Sequence, residues 1–464
     1  MSKFKVPHVY VIIAIIIIFA AILTYILPAG SYERYVDEAT GRTLVQAGSY
    51  VVMESTPVSV FGVLQAVPKG MLEAASVIFI VFVFGGAFGI INATGAIESG
   101  IESSITVLRH MSLVLIPALM ILFGIMGGFL GMIDCLIVFV PLCIMFSRAL
   151  GYDAMVGFAA LQVGNIAGFA CGPMCMWNTG VAQEIAELPL FSAFGVRMLM
   201  FVLFVGVGII YVMRYALKVR KHPELSVVYD LELKHKGDEE NAKKVTGEFT
   251  TRKKIVLAVI VVGFIGLIIG VLSGWSAGTQ ISGYLLGMAI VAGFVNGFKP
   301  DEIADHFVQG ARDVVMGALV VGLARAILVI LTEGNIIDTL LFGASSILGN
   351  FSPVVGVMLM FLFQFCFNFI IYSGSGQAAT TMPLMVPLAD LIGVTRQSAV
   401  VAFQLGDGLS NALWPTAGPL MAGLSIAEIS YSKWLKWFMP LMIIQIIMSC
   451  VIVAVCQSVG LGPF

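Results

Sequence analysis

Residues 404–419 read Gln-Leu-Gly-Asp-Gly-Leu-Ser-Asn-Ala-Leu-Trp-Pro-Thr-Ala-Gly-Pro, a run of helix-damaging and polar residues between apolar stretches. The same plan stands 242 positions earlier. Pro141, Leu142, Gly151, Gln162, Gly164 and Pro173 recur, without a gap, as Pro383, Leu384, Gly393, Gln404, Gly406 and Pro415. Asn165 aligns with Asp407 in that register. Proline inside a helix removes a backbone hydrogen bond and clashes with the preceding turn. Small polar residues and glycines beside it let the chain unwind. Broken helices at matching positions of two halves point to the binding site of a secondary transporter.

Working outward, the chain has 464 residues, of which 59% are hydrophobic and 11% charged, with a mean hydropathy of +1.01. Soluble domains carry about 25% charged residues, so this composition describes a polytopic membrane protein. The seven cysteines lie in apolar stretches and form no Cys-x-x-Cys pair; they read as buried thiols, and no metal set is expected. Lys3 and Lys5 precede an apolar run from Val9 to Leu27. Its length suits a retained first spanning helix better than a secretion signal.

Apolar segments predict helices near 9–27, 69–95, 113–131, 134–150, 154–188, 191–217, 253–273, 276–296, 307–332, 352–372, 378–391, 396–428 and 434–457. The pairs 113–150 and 352–391 have only short polar or small-residue turns between their arms and read as re-entrant hairpins. Nine crossings then remain, with the N-terminus inside and the C-terminus outside. In that arrangement 19 of the 25 basic residues face the cytoplasm, eleven of them between Arg214 and Lys254, as the positive-inside rule requires. Segment 154–188 then runs outward and 396–428 inward, so the halves are inverted, with helix 253–273 changing the parity. Residues 31–56 suggest a small extracytoplasmic β-hairpin around Thr40-Gly41, and Thr56 to Gly70 a short interfacial helix bounded by Pro57 and Pro68.

Four places carry the polar chemistry. The second hairpin turns at Ser373-Gly374-Ser375-Gly376-Gln377, followed by Thr380 and Thr381. Backbone at membrane depth must face protein or water, and N–H groups at a helix start hold anions. The first hairpin turns at Gly127-Gly128-Phe129-Leu130-Gly131-Met132-Ile133-Asp134. Asp134 reads either as a helix N-cap or as an ionisable group on an ion or substrate pathway. The two breaks contribute Asn165, Asn178 and Thr179 from one half and Asp407, Ser410, Asn411 and Thr416 from the other. A broken helix offers carbonyls from one end and N–H groups from the other.

These segments hold Asp134 and Asp407 and no Lys or Arg. Two carboxylates suit a cationic substrate, a proton or a coupling Na⁺, which favours an amino acid with a basic side chain; a neutral amino acid with a coupling ion stays open. Arg325 reads as a structural anchor to an acid or to carbonyls. The five histidines lie at helix ends or in loops, so an intramembrane enzyme is not expected. A channel fits inverted broken helices less well than alternating access does.

Several stretches are similar to the YfcC/ArcD-type family of basic amino acid antiporters, grouped with the anaerobic C4-dicarboxylate carriers in the ion transporter superfamily. They are Leu27-Pro28-Ala29-Gly30-Ser31-Tyr32, Gly85-Gly86-Ala87-Phe88-Gly89-Ile90, Gly322-Leu323-Ala324-Arg325-Ala326, Phe367-Asn368-Phe369 running into Ser373-Gly374-Ser375-Gly376-Gln377-Ala378, Thr381-Met382-Pro383-Leu384, and Ala402-Phe403-Gln404-Leu405-Gly406-Asp407-Gly408 with Pro415-Thr416. The resemblance implies an all-α homodimer in the bacterial inner membrane, each protomer pairing a scaffold with a transport domain that moves as an elevator.

It divides the chain into scaffold helices (1–112), a first hairpin and broken helix (113–190), a connecting helix (191–221), a cytoplasmic loop (222–252), further scaffold (253–335), the second hairpin and broken helix (336–430) and a last helix (431–464). It places Ser373, Ser375, Gln377, Asp407, Ser410 and Asn411 on one wall of a site and Asp134, Asn165, Asn178 and Thr179 on the other; Gly374, Gly376 and Thr416 are further candidate substrate-binding residues. Na⁺ near Asp134, Asn165, Ser373 and Asp407, or H⁺, is the candidate coupling ion, and no other cofactor or nucleic-acid partner is expected. The leading function is exchange or cation-coupled uptake of an arginine- or ornithine-like amino acid; the alternative is a C4-dicarboxylate carrier.

Overall fold

The computed structural model describes residues 9–36, 43–46, 48–97, 99, 112–235, 250–273, 275, 277–348 and 351–462. Helix α1 (Val9–Ile26) stops just short of Leu27-Pro28, since the residue before a proline disfavours helical backbone. Two antiparallel strand pairs follow. β1 (Gly30–Ser31) pairs with β4 (Val51–Val52), and β2 (Arg34–Val36) pairs with β3 (Thr43–Val45) in the register Arg34↔Val45. The turn expected at Thr40-Gly41 lies outside the described residues.

The short interfacial helix starts and ends later than expected. α2 (Val60–Glu73), capped by the Ser59 hydroxyl on the Gly62 N–H, runs through Pro68 and meets α3 (Ala75–Ala93) at a bend of 59°. Past Pro68 the buried residue of α2 is Gly70, where an added side chain would come within 2.6 Å of the Ala326 backbone, so close packing holds the helix beyond the point where proline alone would end it.

The first hairpin comprises α4 (Ser112–Leu130), a turn at Gly131 in left-handed backbone, a 3-10 turn (Asp134–Phe139) and α5 (Val140–Ala149). Gly127 and Gly128 belong to α4 and not to the turn. Next comes α6 (Ala154–Cys171), capped by the Asp153 carboxylate on the Val156 N–H and ended by Gly172 at φ +42°. After the break at Pro173, a π-helical turn (Met176–Gly180) leads into α7 (Val181–Ile185), and α8 (Phe194–Lys221) follows. All of α6 is buried. Its glycines are there for packing as much as for bending: a side chain at Gly164 would come within 2.5 Å of the Met120 carbonyl, and one at Gly168 would run into the Gly124 carbonyl of α4. Small residues four apart let membrane helices approach this closely.

The second half begins with α9 (Thr251–Leu272), a π-helical turn (Ala277–Ile281) and α10 (Ser282–Asn296). α11 (Pro300–Asp313) bends by 45° into α12 (Val315–Glu333). On α12, Arg325 donates to Glu73 at 2.8 Å, an acid being one of the two kinds of partner that the sequence leads one to expect. A helix absent from the sequence reading, α13 (Ile337–Leu348), precedes the second hairpin. That hairpin is α14 (Pro353–Phe367) and α15 (Gly374–Ile392); then come the broken pair α16 (Arg396–Ser410) and α17 (Gly418–Ile426) and the last helix, α18 (Tyr431–Ser458).

By length and composition, five described helices are able to cross a membrane, or up to seven if each bent pair is one span. The protein is a multi-pass membrane protein.

Candidate functional site

The second hairpin unwinds at Asn368–Ser373, and Ser373 caps α15 by accepting from the Gly376 N–H. Gly374 to Gln377 therefore form the first helical turn, where the sequence suggests the hairpin loop. The first N–H groups of a helix have no intrahelical acceptor, and at Gly374 and Ser375 this end of α15 lines a cavity of about 500 Å³. Met132 and Ile133 of the first hairpin turn, Gln162 of α6 and Asn411 and Ala417 of the second break also line it, with the rings of Phe169, Trp177, Trp275 and Tyr372. No charged side chain is among the described residues that line it.

Asp407 lies one layer beneath. It is 0% exposed, and a side chain on Gly374 would sit 3.1 Å from its Oδ2. Asn178 donates to Oδ2 at 2.6 Å and Asn368 to Oδ1 at 2.9 Å. Among the described residues no cation pairs with this carboxylate, although burying an unpaired charge is costly. The donors are held in turn. Asn368 also donates to the Gln377 carbonyl oxygen at 3.1 Å, and Gln377 donates to Gln364, at 2.9 Å to its backbone oxygen and 2.7 Å to its side chain. Among the described residues, the buried side-chain oxygens of Asn178 and Asn368, and the Thr416 hydroxyl, meet no hydrogen-bond partner. Because both asparagines touch the carboxylate, acceptor capacity is left over beside it, which suits a cation.

The expected site residues separate into layers. Ser373, Gly374, Ser375 and Asn411 line the cavity, while Asp407, Asn178 and Gln377 lie behind it. Gly376 is spent on the α15 cap. Thr179 donates to Gln404. The Ser410 hydroxyl turns back onto its own helix, donating to Gly406 and Asp407 carbonyls. Asn165 is not at the cavity: it donates to the Phe123 and Met132 carbonyls, at 3.3 and 2.8 Å, and ties down the first hairpin turn. Asp134 starts the 3-10 turn; its side chain lies outside the described residues.

Asn368, Gln404 and Arg197 are among the participants that had no role assigned from sequence. Asn368 sits in the Phe-Asn-Phe stretch and Gln404 in the repeat signature, both visible there as patterns without a function. Arg197, which the charge distribution puts outside the cytoplasmic set, is fully buried in α8 and donates to Gln404, Gln397 and the Ser192 carbonyl. A single Arg near the end of an apolar segment carries no sequence signal of burial.

A family model described as C4-dicarboxylate anaerobic carrier matches residues 6–458. An Escherichia coli K12 protein described as a candidate basic amino acid antiporter, YfcC, is 32% identical, over 99% of this chain and 97% of its own length. A Haemophilus influenzae protein is 26% identical, over 95% of this chain and 94% of its own. The structure of the Alcanivorax borkumensis YdaH transporter is 14% identical, covering 98% of this chain and all of that one, with a TM-score of 0.40, a likeness too slight to carry an argument.

Proposed function

The chain belongs to the C4-dicarboxylate anaerobic carrier family and is a membrane transporter; from that premise we propose that it carries an amino acid with a basic side chain, by exchange or with a coupling cation. The observation that carries this reading is Asp407, buried and unpaired among described residues beneath a cavity that has no basic lining. The start of α15 offers N–H groups to a carboxylate. Aromatic faces attract a cation such as a guanidinium or ammonium group, and Trp177, Trp275 and Phe169 present such rings to the same space. The 32% identical relative is described as an antiporter of this substrate class.

The mechanism we propose is alternating access by an elevator in which two inverted repeats, each a hairpin and a broken helix, move against the scaffold of a homodimer in the bacterial cytoplasmic membrane. Na⁺ or H⁺ would be the coupling ion, held near Asp407. Counterflow in proteoliposomes against basic amino acids, neutral amino acids and dicarboxylates, with and without Na⁺, tests the reading. Saturable exchange of arginine or ornithine is expected.

The family description favours a second reading, a C4-dicarboxylate carrier, in which the α15 N–H groups hold one carboxylate and a bound cation shields Asp407. Exchange of succinate without arginine would establish that reading instead.

A further inference from the structure

Four described side chains that carry a formal charge are buried: Asp153, Arg197, Asp338 and Asp407. Asp338 pairs with Arg34 at 2.8 Å. Asp153 caps the start of α6 and accepts from the hydroxyls of Tyr215 and Ser226 at 2.6 Å each. Arg197 and Asp407 remain, opposite in sign, each 0% exposed, and neither in an ion pair among the described residues.

They are joined through neutral groups. The Arg197 Nε donates to Gln404 Oε1 and one terminal nitrogen to Gln397 Oε1, both at 2.9 Å; the other terminal nitrogen donates to the Ser192 carbonyl. All three acceptors are uncharged. Gln404 stands one turn before Asp407 on α16, so both face the same side of the helix. Asn178 reaches both, donating to the Gln404 backbone oxygen at 3.5 Å and to Asp407 at 2.6 Å, and Thr179 donates to the same Gln404 oxygen that Arg197 uses. Gln404 cannot turn its amide end to Arg197, because Nε2 is committed to the Cys171 carbonyl at 2.7 Å.

We propose that Arg197 is the counter-charge of Asp407, held back by one layer of neutral side chains so that the carboxylate stays open to a passing cation. In a dry interior a charge acts beyond contact distance, so a guanidinium behind Gln404 offsets part of the cost of burying the carboxylate. Direct contact would do so too, but it would fill the carboxylate's hydrogen-bonding capacity, and each arriving cation would have to break that pair. Arg197 is therefore a positioning residue, acting on the substrate or coupling ion through Gln404 and Asp407.

This inference rests on Asp407 being the charge of the site. Its test is a double-mutant cycle on the full-length protein, with Arg197→Gln, Arg197→Lys, Asp407→Asn and the double Asp407→Asn/Arg197→Gln, read as Tm in detergent and as counterflow. Coupled residues give non-additive changes. Arg197→Gln is expected to lower Tm and to cut counterflow at least tenfold, Arg197→Lys to lose less of both, and the double variant to regain part of the Tm lost by Arg197→Gln. Losses that simply add, or a lysine no better than glutamine, would overturn it, because a merely structural arginine predicts both. Should Arg197→Gln fail to accumulate in the membrane, accumulation of the double variant supports the pairing and its absence refutes it. Normal counterflow by Asp407→Asn would remove the site reading instead, while the Tm cycle still judges the charge pairing.

Discussion

Asn165 and Asp407 hold equivalent positions in the two halves and serve different ends. Asn165 spends its amide on two carbonyls of the first hairpin, whereas Asp407 accepts from Asn178 and Asn368 beneath the start of the second. Asp407→Asn is expected to abolish counterflow while leaving a folded, membrane-inserted protein, since an amide fills the same space without the charge; wild-type rates would refute the assignment. Asn165→Ala should do the reverse. It strands two carbonyls at a cost of about 1–3 kcal/mol, so Tm should fall while substrate selectivity in the counterflow panel stays unchanged. The sequence shows that these two positions differ in charge. It does not show that one faces a hairpin turn and the other a cavity, because that depends on which neighbours packing brings to each helix face.

At the scale of elements, the Gly-Ser-Gly run reads as a loop because glycine costs a helix about 1 kcal/mol per residue. In the fold Ser373 caps the helix there, and the absence of side chains lets α15 start directly over Asp407. Gly374→Val would press on Asp407 Oδ2 and the Trp177 carbonyl, each only 3.1 Å from the added Cβ; a raised KM in counterflow with little change in Tm is expected. The glycines of α4 and α6 serve packing, so Gly164→Leu should destabilise by about 1–3 kcal/mol through overpacking, seen as a lower Tm. The segment after α8 folds back. Glu232 accepts a fork from Arg148 and the Ala154 N–H at 3.0 Å, which ties residues 229–235, helical here, across the ends of α5 and α6. Glu232→Gln loses the charge of that fork, and faster amide hydrogen exchange across 229–235 is the expected result; unchanged exchange would show the tie to be idle. The long polar stretch 222–252 gives no hint of this, since its anchoring partners lie more than 70 residues away in sequence.

At the scale of the whole molecule, the orientation proposed from the charge distribution predicts that a cysteine placed at Ser458, in a background without the native thiols, reacts with an impermeant thiol reagent added outside intact cells. One placed at Pro223 should react only after permeabilisation. The opposite pattern would reverse the topology. The sequence by itself determined the membrane class, nearly every apolar helix and the two breaks, because hydrophobic length and proline or glycine act locally and do not depend on distant partners. It also marked most of the polar residues around the cavity. Tertiary structure alone decided which of them line the cavity and which lie behind it, joined Glu73 to Arg325, and buried Arg197 behind Gln404. Those outcomes depend on contacts between segments up to 252 residues apart; burial and the partner of a charge are properties of the packed chain, and no local pattern carries them.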